Sequence, residues 1–243
     1  MKPPAQPWSV ASENAGASRP PYAAVIFDLD GVLVDTAEYH YLAWKRIADE
    51  IGVPFDRRKN ERLRGVPRGR SLEILIEDMP RPPADLETLA ERKNRWYVEM
   101  IGRLTPADLL PGAERLLLAL KRGKIRMAVG SSSKNARAVL ERVGLANAFD
   151  AIVDGYGFER AKPAPDIFLN AAQLLDATPA QCVVVEDASA GIQAAKAAGM
   201  FAVGVARDEP LPGADLLVRS VAEIPLSLWG LPEEDHSSHR ERP

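Results

Sequence analysis

The sequence is poor in cysteine, histidine and aromatic residues. It contains one cysteine and three histidines among 243 residues, and Phe, Trp and Tyr together make up 6% of the chain. The cysteine, Cys182, lies in an apolar run typical of a strand, and it has no second cysteine with which to form an internal disulfide. A reducing cytoplasm is therefore the expected compartment.

Long apolar runs and a strong charge of either sign are also lacking. No apolar run approaches the roughly 20 residues that span a membrane, and the net charge is only -3 at pH 7. So small a charge gives no overall attraction to nucleic acid or to an anionic membrane surface. We therefore expect neither nucleic acid nor a membrane as a partner, and a monomer that acts on a small molecule.

Apolar residues, by contrast, are abundant. They make up 46% of the chain, which is enough for the packed core of one large or two modest domains. Residues 1–20 combine several prolines with Ser, Ala and Gly and lack the charged-then-apolar order of a signal peptide, so they are predicted to form a disordered arm. The polar segment 233–243 is predicted to be a flexible tail.

One stretch organises the rest of the chain. Residues 23–27 are typical of a fully buried strand of a parallel sheet, and Asp28 and Asp30 follow directly, before Gly31. Ligands bind beyond the carboxyl ends of strands in open α/β sheets. Side chains two residues apart on a strand share a face, so both carboxylates could reach one ligand. An acidic surface turn is the alternative interpretation of this motif alone.

Between residues 37 and 104 the apolar residues recur at helical spacing, and no strand pattern interrupts them. Helices are predicted over 37–51, 56–64, 71–79 and 85–104, with Thr36 as a possible N-cap of the first. Four consecutive helices indicate a separate helical domain. Lys93 falls on the inward stripe of the fourth helix, where it either snorkels at the edge of the stripe or reaches into a cleft toward an anion.

From residue 106 onward, strand and helix patterns alternate. Strands are predicted over 125–130, 151–153, 182–185, 201–205 and 216–218, and helices over 112–122, 136–143 and 189–199 and after the turn at 161–165. This alternation predicts an α/β fold with a doubly wound, Rossmann-like parallel sheet. The predicted catalytic core comprises 21–36 and 105–232, and the helical cap domain, 37–104, is an insertion that covers the carboxyl edge of the sheet.

Three predicted strands end in polar residues that would meet at this edge. These residues are Asp28 with Asp30, the Ser-Ser-Ser-Lys-Asn run at 131–135, and Glu186 with Asp187, while Lys162 lies in a loop between the last two strands. Several carboxylate oxygens suit Mg²⁺, a hard cation. Hydroxyls, backbone N–H groups at a helix start and a lysine suit a phosphate. Phosphoryl transfer to an aspartate requires this combination.

Together and in this order, the motifs resemble those of the haloacid dehalogenase superfamily. The resemblance is closest to its β-phosphoglucomutase-like subgroup and covers nearly everything from residue 23 to about 205. The stretches that carry it are Asp28-Leu29-Asp30-Gly31-Val32, 35–40, 43–45, 63–66 with Arg68 and Ser71, 92–94 with Tyr97, 131–135, 162–166 and Glu186-Asp187.

The resemblance implies a role for each motif. Asp28 would be the nucleophile that becomes an aspartyl phosphate, and Asp30 the general acid–base. The residues that would hold one Mg²⁺ per chain are Asp28, Asp30 through its backbone carbonyl, Glu186 and Asp187. Ser131 and Lys162 would hold the phosphoryl group that is transferred.

It also implies a sugar site with a second phosphate site. A mutase that works through a bisphosphate must hold a phosphate at each end of the sugar, whereas a simple phosphatase grips only one. Arg68 of the cap and 133–135 of the core would supply the second grip. The complete set of implied phosphate- and substrate-binding residues is Ser131, Ser132, Ser133, Lys134, Asn135, Lys162, Arg68, Gly65, Val66, Ser71, His40, Trp44, Lys93 and the hinge residue Thr36.

The implied activity is the Mg²⁺-dependent interconversion of β-glucose 1-phosphate and glucose 6-phosphate, with β-glucose 1,6-bisphosphate as activator and intermediate. A sugar-phosphate phosphatase of the same superfamily is the first alternative. A non-catalytic phosphosugar-binding module is the second, but such a module needs no nucleophile, so intact Asp28 and Asp30 argue against it.

Three features depart from the subgroup. Arg64 stands where a lysine is common, Pro67 separates Val66 from Arg68, and the stretch 154–160 is unusual. These departures bear on sugar specificity rather than on the class of reaction.

Overall fold

The computed structural model describes residues 22–81, 83–206 and 210–233. A sheet of six parallel strands, in the order β3-β2-β1-β4-β5-β6, forms its centre. The strands are β1 (Ala24–Phe27), β2 (Arg126–Gly130), β3 (Ala151–Val153), β4 (Cys182–Glu186), β5 (Phe201–Val205) and β6 (Leu216–Val218). The predicted α/β fold class is confirmed. The predicted arm at 1–20, and the predicted tail beyond residue 233, lie outside the described residues.

Strand β1 lies in the middle of the sheet, and its composition follows from that position. Its residue Ile26 pairs with Ala128 of β2 on one side and with Val184 of β4 on the other. All four residues of β1 are fully buried, because a parallel sheet covered on both faces requires apolar side chains at every position. The strand order reverses between β1 and β4, so a ligand crevice is expected beyond the carboxyl ends of these two strands.

Four consecutive helices follow β1 and form the insertion: α1 (Ala37–Ile51), α2 (Arg57–Glu61), α3 (Arg68–Ile76) and α4 (Leu86–Ile101). They bury an apolar core of their own that includes Trp44, Leu72 and Leu89. Tyr97 and Ile101 of α4 pack instead into the core of the sheet. These two cores support the domain boundaries that we propose, with the cap at 37–104 and the catalytic core at 21–36 and 105–232.

The remaining helices cover both faces of the sheet. They are α5 (Ala113–Arg122), α6 (Ala136–Arg142), α7 (Asp166–Leu174) and α8 (Ser189–Ala197). Buried side chains of α5 and α6 pack with Val25 and Phe27 on one face, and those of α7 and α8 pack with Ala24 and Ile26 on the other. Across the described ranges, no helix is both long and apolar enough to span a bilayer.

Three cap helices have boundaries that differ from the prediction. Helix α3 covers Arg68–Ile76 rather than 71–79, because Pro67 takes the extended backbone (φ -60°, ψ 149°) of an N-cap. Helix α2 ends at Glu61, before residue 64, since the chain turns toward Gly65, whose φ is 69°. Helix α4 ends at Ile101, three residues before the predicted end.

Thr36 is the N-cap residue of α1, as predicted, but its side chain does not cap the helix. Its hydroxyl, which is fully buried, donates instead to Oδ1 of Asp30. The side chain of Asp35 accepts from the amide of Ala37 in the first turn at 3.3 Å, and Asp30 of the motif gains a fixed partner in Thr36.

Candidate active site

The carboxylates of the motifs meet where β1 and β4 end. The amide of Asp28 donates to the carbonyl of Val185 at 2.9 Å, which extends the pairing of the two strands by one residue. This pairing sets Asp28 beside Glu186 and Asp187, so that one carboxylate oxygen from each lies within 4.8 Å of the others. The parallel register therefore brings together the three acidic side chains that the sequence predicts at this edge.

Lys162 neutralises part of this cluster. Its ammonium, which is buried, donates to Oδ1 of Asp28 at 2.5 Å and to Oε1 of Glu186 at 3.1 Å. Burial alone would lower the pKa of Lys162, but the charges of the two carboxylates outweigh burial and raise the pKa above its ordinary value. Lys162 is therefore a permanent cation in contact with Asp28.

Burial perturbs the acidic side chains more than any single neighbour does. It raises the pKa of Glu186 to about 8, although the charge of Lys162 acts in the opposite direction. It likewise raises the pKa of Asp187 to about 6, against the charge of Arg64. The cluster thus carries more negative charge than its burial tolerates, which is the condition that favours a bound cation.

Two glycines leave the space that the carboxylates occupy. A Cβ at Gly31 would lie 1.8 Å from Oδ2 of Asp187, and a Cβ at Gly191 would lie 1.5 Å from Oε1 of Glu186. Glu186 is further oriented by the amide of Asp187, which donates to its Oε2 at 2.8 Å. Together with Asp28, these two carboxylates form a donor set that fits a hard divalent cation such as Mg²⁺.

Asp30 has a different environment from Asp28. Burial is the largest influence on Asp30, followed by the charge of Asp28, and together they raise the pKa of Asp30 to about 7. The hydrogen bond from Thr36 acts in the opposite direction and fixes the carboxyl group. A carboxyl group with a pKa near neutrality can both give and take a proton, as a general acid–base requires.

The cap contributes a buried lysine to the cleft. Lys93 of α4 is 3% exposed, and its Nζ lies 2.8 Å from Nδ1 of His40 and 4.8 to 4.9 Å from the ring centroids of Tyr97 and Trp44. Burial and the charge of Arg68 lower the pKa of Lys93 to about 7. Of the two alternatives for Lys93, snorkelling at the edge of the stripe is wrong, since the side chain faces the cleft.

His40 serves as the hydrogen-bond partner of Lys93. Its pKa lies well below the ordinary value, first because of burial and then because of the positive charge of Lys93. A neutral imidazole accepts at Nδ1 the proton that an ammonium donates. The ring also packs against Tyr97, with the two ring centroids 4.1 Å apart. His40 and Lys93 therefore form one unit on the cap side of the cleft.

Most of the predicted residues share one cleft of about 530 Å³ between cap and core. Those that line it are Asp28, Asp30, Asp187, Ser131, Ser132, Ser133, Lys134, Asn135, Arg68, Gly65, Val66, Ser71, His40, Trp44 and Lys93. Glu186, Lys162 and Thr36 do not line it. All three are buried and contact residues of the site. Lys162 contacts both Glu186 and Asp28, and Thr36 contacts Asp30.

The loop after β2 is held in place by its own hydroxyl groups. Oγ of Ser131 accepts from the amide of Ser133 at 3.1 Å, and Oγ of Ser133 accepts from the amide of Asn135 at 3.2 Å. Two side chains of the loop also reach the cap: Ser132 donates to the carbonyl of Gly65 at 3.0 Å, and Asn135 donates to Asn94 at 2.8 Å. The loop therefore contributes both to the cleft and to the contact between the domains.

Sequence reasoning assigned no role to three residues that lie in this cleft or are buried beside it. Arg64 donates to Oδ2 of Asp187, whereas the sequence presented it only as a departure from the subgroup. Tyr156 also lines the cleft, within the unusual stretch 154–160. The hydroxyl of Tyr97 is buried with no hydrogen-bond partner among the described residues, although Thr36 lies close enough to influence its pKa. The signal in the sequence that could have indicated a role for these residues was the presence of polar side chains close to motif residues.

Comparison with known proteins gives consistent results. The model of the haloacid dehalogenase-like hydrolase family matches residues 22–199. A β-phosphoglucomutase of Bacillus subtilis is 52% identical over 209 residues, which cover 84% of this chain and 92% of the relative. A fructose-1-phosphate phosphatase of Escherichia coli is 39% identical over 186 residues, which cover 76% of this chain and 96% of the relative.

The fold is also similar to that of solved structures. The crystal structure of a β-phosphoglucomutase from Clostridium difficile superposes with a TM-score of 0.80 at 41% sequence identity. The alignment covers 85% of this chain and 94% of that structure. The similarity therefore includes the helical insertion as well as the sheet.

Proposed function

The chain belongs to the haloacid dehalogenase-like hydrolase family, and from that premise we propose that it interconverts β-glucose 1-phosphate and glucose 6-phosphate. The observation that carries the proposal is the content of the cleft. The cleft contains the carboxylates of Asp28 and Asp30. It also contains two cationic side chains, Arg68 from the cap and Lys134 from the core. A phosphatase has to hold one phosphate, whereas a mutase that works through a bisphosphate has to hold two.

The first half of the reaction phosphorylates the enzyme. A carboxylate oxygen of Asp28 attacks one phosphorus atom of β-glucose 1,6-bisphosphate, and the bond between that phosphorus and the sugar oxygen breaks. The protonated form of Asp30, which is populated near neutral pH because the pKa is raised to about 7, gives its proton to the departing sugar oxygen. The products are the aspartyl phosphate of Asp28 and a glucose monophosphate.

The second half returns the phosphoryl group to sugar. The 6-hydroxyl of β-glucose 1-phosphate attacks the phosphorus on Asp28, and ionised Asp30 takes the proton of that hydroxyl. This step regenerates the bisphosphate and frees Asp28. The bisphosphate then dissociates and rebinds with its two phosphates exchanged, so that the next transfer leaves glucose 6-phosphate.

A buried cation and a buried serine contact the phosphoryl group during both transfers. Lys162 is in contact with Asp28, and Ser131, which is buried, follows the adjacent strand. We assign these two residues to the transferring phosphoryl group, because fixed donors stabilise the charge that spreads over its oxygens in the transition state.

The acidic cluster is the proposed metal site. Asp28, Glu186 and Asp187, with the backbone carbonyl of Asp30, would hold one Mg²⁺, and Glu186 would act partly by orienting Asp187 and Lys162. The cation supplies charge neutralisation for the phosphoryl oxygens and for Asp28. Burial of these carboxylates supports the assignment, because it raises the cost of leaving them unpaired.

The sugar and its second phosphate are assigned to the rest of the cleft. Arg68, Ser133, Lys134 and Asn135 would hold the distal phosphate, since they offer charge and hydrogen-bond donors from both domains. We assign the remaining residues to binding the sugar and to closing the cleft around it. They are His40, Trp44, Lys93, Gly65, Val66, Ser71 and Ser132, with Thr36 at the hinge.

One observation favours a phosphatase as the second candidate. The relative from Escherichia coli that is 39% identical is a fructose-1-phosphate phosphatase. That relative is more distant than the β-phosphoglucomutase of Bacillus subtilis, at 52% identity. The two activities share Asp28 and Asp30 and differ in whether water or a sugar hydroxyl receives the phosphoryl group.

The proposed setting is a monomer in a reducing cytoplasm. One chain brings the nucleophile, the acid–base and both groups of phosphate ligands into the same cleft, which supports action as a monomer. Cys182 is a free thiol within the buried strand β4, which supports a reducing compartment.

A coupled assay tests the proposed function. Purified protein is given β-glucose 1-phosphate, Mg²⁺ and a trace of β-glucose 1,6-bisphosphate, and glucose 6-phosphate is followed through glucose-6-phosphate dehydrogenase. We expect steady formation of glucose 6-phosphate, which stops on addition of a chelator and is absent in Asp28→Asn. Turnover at the wild-type rate by Asp28→Asn would remove the nucleophile from the proposal.

A further inference from the structure

The loop between β3 and α7 places an aromatic side chain at the cleft without burying it. Tyr156 is 73% exposed, yet it lines the cleft. Large apolar surfaces that stay exposed are informative when a rigid scaffold presents them beside polar groups. The loop lies in the stretch 154–160, where the sequence departs from its subgroup.

The loop is fixed by its own hydrogen bonds. Asp154 accepts from the amide of Tyr156 at 3.1 Å through Oδ1, and from the amide of Gly157 at 2.8 Å through its carbonyl. Its Oδ2 pairs with Arg137 of α6 at 3.1 Å. The carbonyl of Gly157 accepts from Asn170 of α7 at 2.6 Å. Tyr156 is therefore anchored on both sides to helices of the core.

Gly155 sets this loop directly against the loop after β2. Its amide donates to the carbonyl of Ser133 at 3.1 Å. A Cβ at Gly155 would lie 2.7 Å from the carbonyl oxygen of Ser132 and 2.8 Å from the amide nitrogen of Lys134. Only glycine permits this approach, and the approach fixes the distance between Tyr156 and Lys134.

Tyr156 contacts one of the two cations assigned to the distal phosphate and lies near the other. Nζ of Lys134 lies 4.7 Å from the centroid of its ring, within the range of a cation–π interaction. Arg68, the cation of the cap, lines the same cleft as Tyr156. Tyr156 therefore contacts the cation of the core at the cleft that the cation of the cap also lines.

We propose that Tyr156 is a positioning residue for the distal phosphate, whose ring holds the ammonium of Lys134 at the cleft opposite Arg68. This assignment rests on the proposed function for the existence of a distal phosphate. An exposed lysine samples many rotamers, and holding it in one place lowers the entropy lost when the phosphate binds. Tyr156 acts through Lys134 and takes no part in the transfer at Asp28.

Three variants separate this role from a structural one. Tyr156→Ala removes the ring, Tyr156→Phe keeps the ring without the hydroxyl, and Lys134→Ala removes the cation that the ring holds. A cation–π contact at an exposed site corresponds to a change of about two- to five-fold. We therefore expect Tyr156→Ala to raise the KM for β-glucose 1-phosphate about two- to five-fold, and to lower kcat/KM for this substrate more than for acetyl phosphate, which has no distal phosphate.

Two further results are expected. Tyr156→Phe stays close to the wild-type KM, since it retains the ring. In the Lys134→Ala background, Tyr156→Ala has no additional effect, because the two residues act as one unit. Equal losses in Tyr156→Phe and Tyr156→Ala, or additive losses in the double variant, would overturn the assignment.

A binding measurement keeps this test independent of turnover. The same substitutions are made in the Asp28→Asn background, and β-glucose 1,6-bisphosphate is titrated into each protein by calorimetry. We expect Tyr156→Ala to weaken binding about two- to five-fold. Unchanged binding contradicts the role of Tyr156, whereas failure of the wild-type protein to form glucose 6-phosphate contradicts the proposed function instead.

Discussion

The guanidinium of Arg64, in the segment between α2 and α3, donates to Oδ2 of Asp187 beyond the end of β4. The same guanidinium donates to Glu61 of α2 at 3.0 Å. Arg64 thus joins the cap to the carboxylate cluster of the core and, with Lys162, balances part of its negative charge. A divalent cation held by Asp187 has to share or displace this contact.

Arg64→Ala is expected to bind Mg²⁺ more tightly than the wild-type protein. The side chain of Arg64 is 32% exposed, so solvent screens the contact and the gain is about two- to five-fold in Kd. Calorimetric titration of Mg²⁺ measures it. Arg62→Ala, which removes the same charge from an exposed pair with Glu77, is the control. Equal shifts in both variants would show that Arg64 acts only through overall charge.

Asp30→Asn is expected to lose the general acid–base while Asp28 remains reactive. The loss in kcat for β-glucose 1-phosphate should be about 10²- to 10⁴-fold. Acetyl phosphate, whose leaving group needs little protonation, should still phosphorylate Asp28, as intact-mass measurement would show. Asp35→Asn, an exposed neighbour, is the control. If Asp30→Asn keeps more than about a tenth of the wild-type kcat, another group carries the proton.

Titration of Lys93 is expected to make the free energy of unfolding depend on pH above neutrality. Its pKa is about 7 in the folded protein, against an ordinary value of 10.5. Between these two values the unfolded chain binds more protons than the folded protein, so the free energy of unfolding rises with pH. From pH 7 to pH 9 the contribution of Lys93 to this rise is about 2 kcal/mol, at about 1.4 kcal/mol per pH unit. The titration of Glu186, whose pKa is raised to about 8, opposes it in both the wild type and the variant below.

Lys93→Met removes the titrating group and should remove this rise. Urea unfolding at pH 7 and pH 9 measures the free energy of unfolding in each protein. Lys121→Met, which removes an exposed lysine of α5, should follow the wild-type protein. The same pH dependence in Lys93→Met as in the wild type would show that Lys93 is charged throughout this range.

Arg68→Ala is expected to impair the mutase reaction far more than hydrolysis of acetyl phosphate. A charge-assisted contact to phosphate contributes about 1.5–3 kcal/mol, which corresponds to a ten- to hundred-fold loss in kcat/KM. Lysine should restore only part of this loss, because it lacks the bidentate fork of arginine. Arg70→Ala, which breaks an exposed pair with Glu73, is the matched control. Equal losses on both substrates would mean that Arg68 does not hold a distal phosphate.

The sheet and its acidic edge could be predicted from the sequence because their signals are local. A buried central strand has to be apolar throughout, and the polar residues that follow it have only the carboxyl edge to occupy. The strand patterns therefore predict that Asp28 and Glu186 lie at the same edge of the sheet. Helix ends were less predictable, since Pro67 could begin a helix as readily as interrupt one.

The contacts between cap and core could not be predicted, because they join residues far apart in the chain. The link between Arg64 and Asp187 spans 123 positions. Helical periodicity placed Lys93 on an inward stripe, but periodicity does not say whether that stripe faces a core or a cleft. Tyr156 lies in a loop without periodic pattern, and its position depends on the approach of Gly155 to the loop after β2.

The fate of the phosphoryl group on Asp28 tests the central claim most directly. Purified protein is incubated with β-glucose 1-phosphate and a trace of β-glucose 1,6-bisphosphate, and glucose 6-phosphate, inorganic phosphate and free glucose are measured in the same sample. Our account predicts glucose 6-phosphate in large excess over inorganic phosphate, since the sugar hydroxyl rather than water receives the phosphoryl group. Release of one inorganic phosphate and one glucose for each β-glucose 1-phosphate consumed would contradict it.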